Sequence, residues 1–379
     1  MRKIETFDRT IFFITLFLIV LGIVMTYSST TIIADERYKD SLYFFKKQLV
    51  WGMLGIGMMI GCSNLNYKLL QKRVLFLPLF VITLSLLIII LPPFCSEPFC
   101  KRINGSYRWL KIGGLSIQSS EFAKLMVIIF LSRYAIKNGE KIENFKSGLI
   151  FPLSVIGVIM FLIIVEPDAG TAIFIGTISM LLLFIAGTKK THVLLLSLSG
   201  ISSLSLFIMA NRSNYNHITD RLGCFIDPWS CYKGAGFQIV QSLLAFGRGG
   251  LLGVGIAEGR QKLFFLPEVH TDFIFALIGE ELGLFVTVTI ISLYIILFWK
   301  GFRIAMHTSD RFGRYLAYGI VLMINLHVMI NVSVVTGLLP TTGLSLPFLS
   351  YGGSSLIVNS IGVGILLNIS KEMQTGVRR

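Results

Sequence analysis

The chain has 379 residues, 54% of them hydrophobic and only 14% charged, with a net charge of +14. A soluble protein carries about 25% charged residues, and at this length it divides into domains joined by polar linkers. Neither feature is present, and no compact basic region exists to bind nucleic acid, so the chain reads as one built to sit in lipid.

Apolar runs long enough to cross about 30 Å of hydrocarbon recur from end to end, and helices satisfy their own backbone there. The first, 10–28, follows Arg2 and Lys3 as a signal peptide would. It is too long for one and lacks a cleavage site, so an uncleaved helix is expected. Further spans are expected at 46–65, 74–92, 121–136, 148–165, 169–187, 192–209, 272–299, 315–338 and 351–370. The fourth is short and begins with Glu121 and Lys124. The fold class expected is an all-α polytopic membrane protein, one domain over 1–379. It has about ten transmembrane helices, long connections at 93–120 and 210–271, and a tail at 371–379.

Lys and Arg mark the loops that stay in the cytoplasm. They gather before span 1, between spans 2 and 3, 4 and 5, 6 and 7, and 8 and 9, and in the tail. Both termini are therefore expected inside. The long connections, including the large loop between spans 7 and 8, then lie outside. Those loops hold Lys101, Arg102, Arg108, Lys111, Arg212, Arg221, Lys233, Arg248, Arg260 and Lys262. Snorkelling anchors or a surface for an anionic headgroup would both use such cations. Cys95, Cys100, Cys224 and Cys231 also lie in these loops, where an oxidising exterior would pair them. Three connectivities are open, pairing within each loop being the simplest.

Ionisable groups near membrane depth mark the chemistry. The stretch EGRQKLFFLPEVHTDFIFALIGEELG, 258–283, sets Lys262, Glu268, His270 and Asp272 at the mouth of span 8. Asp272 reads either as a helix N-cap or as a base or metal ligand. Glu280 and Glu281 follow about 12 Å deeper and point about 100° apart, so they cannot simply share a partner. A second cluster, RINGSYRWLKIGGLSIQSSEFAK at 102–124, offers Arg108, Trp109, and Glu121 with Lys124 at i and i+3, a pairing distance on one helix face. Asp168 in EPDAGTA reads first as a helix cap. The run GRGGLLGVG, 247–255, lacks the strand and helix of a nucleotide site and is rejected as one. GLLPTTGLSLPFLSYGGSS, 337–355, is irregular backbone, tolerated at membrane depth only when buried or lining a cavity.

RWLKIGGLSIQSSEFAK, EPDAGTA, QKLFFLPEVHTDFIFALIGEELG and GLLPTTGLSLPFLSYGGSS, in this order along the chain, resemble the SEDS family (shape, elongation, division and sporulation). The QKL before LPE, the IGEELG and the TTGLSLP look closer to its division branch (FtsW) than to its elongation branch (RodA). Ser119 departs from the family's usual Pro. The resemblance implies an inverting peptidoglycan glycosyltransferase that polymerises lipid II on the outer face of the bacterial inner membrane, at the division septum. It places Asp272 as base or as ligand of a divalent metal (Mg2+ or Mn2+), with no nucleotide. It offers Arg108, Lys124 and Lys262 to the diphosphate or sugar, and sets Trp109, Glu121, Glu268 and His270 in or beside the cavity. Asp168, Glu280, Glu281, Tyr351 and Ser354 are left in supporting positions. The implied partners are lipid II, an undecaprenyl-diphosphate-linked glycan, a class B penicillin-binding protein and divisome regulators. A lipid II flippase, an elongation-type polymerase and a non-catalytic transpeptidase scaffold are the competing readings.

Overall fold

The computed structural model describes residues 7–376, apart from 92–94, 96–99, 104–105, 113–114, 211–220, 222, 233, 235 and 263–265. Arg2, Lys3, Arg212, Lys233, Arg378 and Arg379 lie outside the described residues. Each expected span coincides with one helix: α1 (Arg9–Tyr38), α2 (Tyr43–Asn64), α3 (Arg73–Ile90), α4 (Ser119–Asn138), α5 (Ile150–Val165), α6 (Ala169–Ile185) and α7 (Lys190–Ala210). After α8 (Phe237–Gly249), a short helix in the large loop, come α9 (Ile274–His307), α10 (Arg311–Val335) and α11 (Gly353–Gly376). Among the described residues, α1, α3, α5 with its preceding turn, α9, α10 and α11 are long and apolar enough to cross a membrane.

Capping and small residues explain much of the local structure. Asp8 caps α1 by accepting from the Thr10 and Ile11 amides at 3.0 and 3.3 Å. Helix α1 runs ten positions past the expected span end and closes on Lys39 in the left-handed region. The most extensive helix contact joins α2 to α11. It is close because glycines face it: a Cβ on Gly353 would meet the Trp51 ring at 2.2 Å, and one on Gly364 the Met59 carbonyl at 2.5 Å. In lipid, where apolar burial drives little, such backbone approach supplies the packing.

One element departs from the all-α expectation. The 93–120 connection folds into a three-stranded antiparallel sheet, β1 (Cys100–Ile103), β2 (Ser106–Ile112) and β3 (Leu115–Gln118), in that order. Trp109 pairs with Gln118 and Leu110 with Ile117. Tyr, Trp and Ile favour the pleat, and buried Leu110 seats the sheet on Ile90 at the end of α3. A span scan sees this stretch only as a loop, because its alternation is short. The sheet marks one end of the bundle, called the sheet end below. Cys224 and Cys231 form a disulfide, Cys95 is also disulfide-bonded, and Cys62 in α2 is free.

Helix α9 contains a break. With 34 residues it would be about 51 Å long if straight, well beyond the hydrocarbon thickness. At Gly283 the backbone turns to φ 76°, ψ −175°, and the glycine-rich run at 249–255 fills the gap. The Val254 and Gly255 amides donate to the freed Glu280 and Glu281 carbonyls at 3.0 Å each. The freed Leu284 and Phe285 amides donate to the Gly250 and Leu251 carbonyls at 3.0 and 3.3 Å. A Cβ at Gly283 would lie 2.3 Å from the Gly253 nitrogen, so only glycine fits. The rejected nucleotide loop is thus a backbone splice. The piece beyond the break, Leu284–His307, is about 36 Å long, enough by itself for the thickness of a bilayer.

Candidate active site

A cavity of about 2340 Å³ opens at the sheet end. Its polar wall gathers Arg108 and Trp109 from β2, Glu121 from α4, Asp168 at the start of α6, Arg221, Glu268, His270 and Asp272 before α9, and Tyr351 before α11. The cavity continues between α5, α6 and α7 along an apolar groove lined by Ile156, Met160, Phe161, Met180, Leu181 and Phe184. The resemblance-placed residues Arg108, Trp109, Glu121, Glu268, His270 and Asp272 therefore share one space, though the chain separates them widely.

Asp272 sits on the cavity floor, two residues before α9. The N-cap reading fails on geometry, because the cap position is Phe273 and no side chain caps this helix. The carboxylate faces the cavity instead, with Oδ2 3.6 Å from where a Cβ on Gly343 would sit. Gly343 adopts φ 77°, and any other residue there would be strained. Burial raises Asp272 from 3.8 to about 7. Glu268 and Asp168 add to the rise, while Arg221 and Arg108 oppose it. The backbone around it is pinned. Asn331 of α10 donates through Nδ2 to the carbonyls of Asp272 (2.7 Å) and Leu344 (2.8 Å). The Ser350 hydroxyl donates to the Thr271 carbonyl at 2.6 Å, and the Tyr351 amide donates to the His270 carbonyl at 2.9 Å. The irregular 337–355 connector is thus the backing plate of the acid.

Two arginines flank the acid. Arg108 donates through Nε to the Glu166 carbonyl at 3.1 Å and through Nη2 to the Pro167 carbonyl. Arg221 donates through Nη1 to the Thr341 carbonyl at 3.3 Å. Burial lowers the Arg221 guanidinium from its ordinary value, with Asp272 holding it up. Asp168 caps α6 through the Thr171 amide (3.3 Å), as expected, and also accepts from the Ser120 hydroxyl at 3.5 Å. Behind it, burial pushes the Glu166 carboxyl up to about 8, Asp168 adding and Arg108 opposing. Neither Glu166 oxygen has a hydrogen bond of ordinary geometry, and the Ser119 hydroxyl is its neighbouring donor. Ser119 occupies the first position of α4, where the proline it replaces would also be at home.

The opposite rim is aromatic. Tyr38 and Tyr43, at the α1–α2 turn, stack with centroids 3.8 Å apart, and Phe44 packs against His270 and Tyr351. Burial lowers His270, with Glu268 opposing the shift and Arg37 adding to it, so this ring is neutral at pH 7. Burial and the nearby Tyr43 and Tyr38 push Tyr351 up to about 12. Glu268 is exposed, adopts a left-handed backbone (φ 55°), and accepts from the Thr271 hydroxyl at 3.1 Å.

Two candidate cations lie elsewhere. Lys124 is buried beneath the cavity and does not line it. Its Nζ is 2.7 Å from Glu121 and 2.9 Å from His327 Nε2. The His327 Nδ1 faces the Met323 carbonyl at 2.9 Å and carries the proton, which leaves Nε2 to accept from the ammonium. Lys262 is likewise withdrawn, paired with Glu281 at 3.1 Å. Both assignments as substrate contacts are therefore corrected: an ammonium at this depth is committed to its carboxylate. Glu281 also accepts from Ser28 of α1 at 2.8 and 2.6 Å. Glu280 takes Arg248 (3.2 Å) and the amides of Arg260 (2.9 Å) and Gln261 (3.1 Å). The adjacent glutamates indeed take separate partners. Ser354 ties β3 to α11 by accepting from the Gln118 amide at 2.9 Å.

The model of the FtsW, RodA and SpoVE family, described as cell cycle protein, matches residues 8–375. The chain is 37% identical over 374 residues to a probable peptidoglycan glycosyltransferase FtsW of Geobacter metallireducens, covering 99% of this chain and 97% of that one. It is 40% identical over 365 residues to stage V sporulation protein E of Bacillus subtilis, covering 96% and 97%. The fold is shared with a chain of a peptidoglycan synthase complex (TM-score 0.73, 24% identity, 97% and 98% covered). It is also shared with the rod shape determining protein RodA of Thermus thermophilus (TM-score 0.65, 24% identity, 96% of each chain). With a family model spanning nearly its whole length, and full-length relatives well above 30% identity, the chain belongs to the FtsW/RodA/SpoVE family of polytopic membrane proteins.

Proposed function

We propose that this protein is a peptidoglycan glycosyltransferase that polymerises lipid II, with Asp272 as its base. The observation carrying the reading is one carboxyl raised to about 7 between two arginines, at the head of an apolar groove. The acceptor's 4-hydroxyl attacks the anomeric carbon of the donor. The new glycosidic bond forms as the bond to the diphosphate breaks, and the configuration inverts. Asp272 takes the hydroxyl proton, and an acid near 7 is far better suited to this than one near 3.9. Arg108 and Arg221 face the departing diphosphate, Arg108 already held by two backbone carbonyls and Arg221 by one. The polyprenyl tail lies in the α5–α7 groove. The aromatic rim offers sugar-stacking faces.

Among the described residues, no three His, Cys, Asp or Glu side chains converge as a metal cage. Asp272 still fits a divalent cation, because Mg2+ is commonly held by one or two carboxylates plus phosphate oxygens and water. Such an ion would neutralise charge on the diphosphate. Relatives named FtsW, and the fold shared with a chain of a synthase complex that coordinates polymerisation and crosslinking, support a septal setting and a class B transpeptidase partner. The disulfides support a sheet end that faces the oxidising exterior.

The test is polymerisation of lipid II by purified protein with its cognate transpeptidase and a divalent cation, comparing wild type with Asp272→Asn. Glycan strands from wild type alone are the expected result. Labelled lipid II crossing the bilayer with no strands formed would overturn the reading in favour of a flippase. The apolar lining of the groove, which suits a tail and not a sugar–peptide headgroup, argues against that outcome.

A further inference from the structure

We infer that the Cys224–Cys231 disulfide is a staple that holds Arg221 in the cavity beside Asp272, making anion binding at this site dependent on the redox state of the large loop. The inference rests on the reading of the cavity as a diphosphate site and adds to it a positioning element. Arg221 and residues 223–226 are helical, and Arg221 stands three positions before Cys224 in the chain. Cys224 is buried, and its bond to Cys231 closes the intervening turn. From Cys231 the chain leads into α8. Gly236 packs on this turn so closely that a Cβ there would meet the Pro228 carbonyl at 2.5 Å and the Cys231 Cβ at 3.1 Å.

Helix α8 is itself fixed. Gln241 donates through Nε2 to the Tyr232 hydroxyl at 3.3 Å, and the Ser242 hydroxyl donates to the Val335 carbonyl of α10 at 2.6 Å. The disulfide therefore ties the helical turn that carries Arg221 to Cys231, six residues before a firmly docked helix. Arg221 itself has a single hydrogen bond to the protein among the described residues, that to Thr341. A long, flexible cation held by one bond needs its backbone placed from elsewhere. The disulfide supplies that constraint by removing conformations of the turn that aim Arg221 away. Cys231 is only partly buried, so a small dithiol reaches the bond. Reduction delivers two electrons and two protons: the sulfur–sulfur bond breaks, both residues become thiols, and the dithiol closes to its own cyclic disulfide.

The experiment measures binding of undecaprenyl diphosphate to the purified full-length protein by fluorescence titration, with lipid II polymerisation as a second readout. Cys224→Ser with Cys231→Ser, and Arg221→Ala, should each weaken binding on the order of tenfold, the loss that goes with one misplaced charge-assisted hydrogen bond. Combining all three substitutions should cost no more than Arg221→Ala alone. Arg221→Lys should recover part of the binding only while the disulfide is intact. Dithiothreitol also reduces the Cys95 disulfide. Its effect is therefore read as a difference: reduction weakens binding by wild type and not by Arg221→Ala, and reoxidation restores it. This arm stands even if the double serine variant does not fold. Unchanged affinity after loss of the disulfide, losses that multiply with Arg221→Ala, or no binding by the oxidised protein would each overturn the inference. Redox-dependent binding without glycan synthesis would leave the staple standing and remove the polymerase.

Discussion

Replacing Asp272 by Asn should abolish polymerisation and at the same time stabilise the protein. The carboxyl is raised from 3.8 to about 7 by burial and by Glu268 and Asp168. Below pH 3.8 the folded and unfolded chains both hold the proton, and the acid has no effect on stability. As pH rises from 3.8 to about 7, the unfolded chain releases the proton and the folded one retains it, so stability falls. Above about 7 the penalty is constant, on the order of 4 kcal/mol. Water in the open cavity screens the charge, so this is an upper bound. Asparagine carries no charge and escapes the penalty. The thermal midpoint of Asp272→Asn in detergent should therefore exceed that of wild type by several degrees at pH 8. The gap should shrink steadily below pH 7. Wild-type polymerisation should rise with pH through about 7, as the base form fills. Equal melting of the two proteins at pH 8, or a gap independent of pH, would refute the assignment of Asp272 as a buried, raised acid.

Three further outcomes follow from the same contacts. Asn331→Leu strands two carbonyls, at about 1–3 kcal/mol each, and frees the Asp272 backbone. Its kcat should fall on the order of tenfold with little change in KM, read in the same polymerisation assay. Lys262→Met leaves Glu281 charged in a buried site and should lower the thermal midpoint sharply, and adding Glu281→Gln should restore most of it. Gly283→Ala forces a Cβ to 2.3 Å from the Gly253 nitrogen and should prevent assembly of the large loop on α9, seen as new protease cleavage within 249–262.

The helices were legible because lipid imposes a length and an apolar composition that a single sequence displays openly. All ten expected spans fall on helices, though α1 and α9 overrun their expected ends. The overrun of α1 matters, since it carries Arg37 and Tyr38 to the cavity rim. The sheet was missed because its strands are short and two-faced, and Leu110 makes sense only against Ile90. Site residues were legible where a charge stood out against apolar neighbours. What spacing did not reveal was direction. Lys124 and Lys262 carry the same formal charge as Arg108 and Arg221, yet the former two are paired inward and the latter two face the cavity. Arg221 stood among many basic residues of a long loop with nothing to single it out. Asn331, a polar side chain near the end of an apolar helix, is visible in the sequence, but its two carbonyl partners are not.

The break at Gly283 bears on how the protein meets bilayers of different thickness. A continuous α9 would carry any tilt of its lipid-embedded part straight to Asp272. Here the cavity-side piece, Ile274–Gly283, is laced to the glycine-rich run through its backbone and, through its own Glu280 and Glu281, to Arg260 and to Ser28 of α1. Any tilt that Leu284–His307 takes up under hydrophobic mismatch meets a glycine and a backbone splice before it reaches the acid.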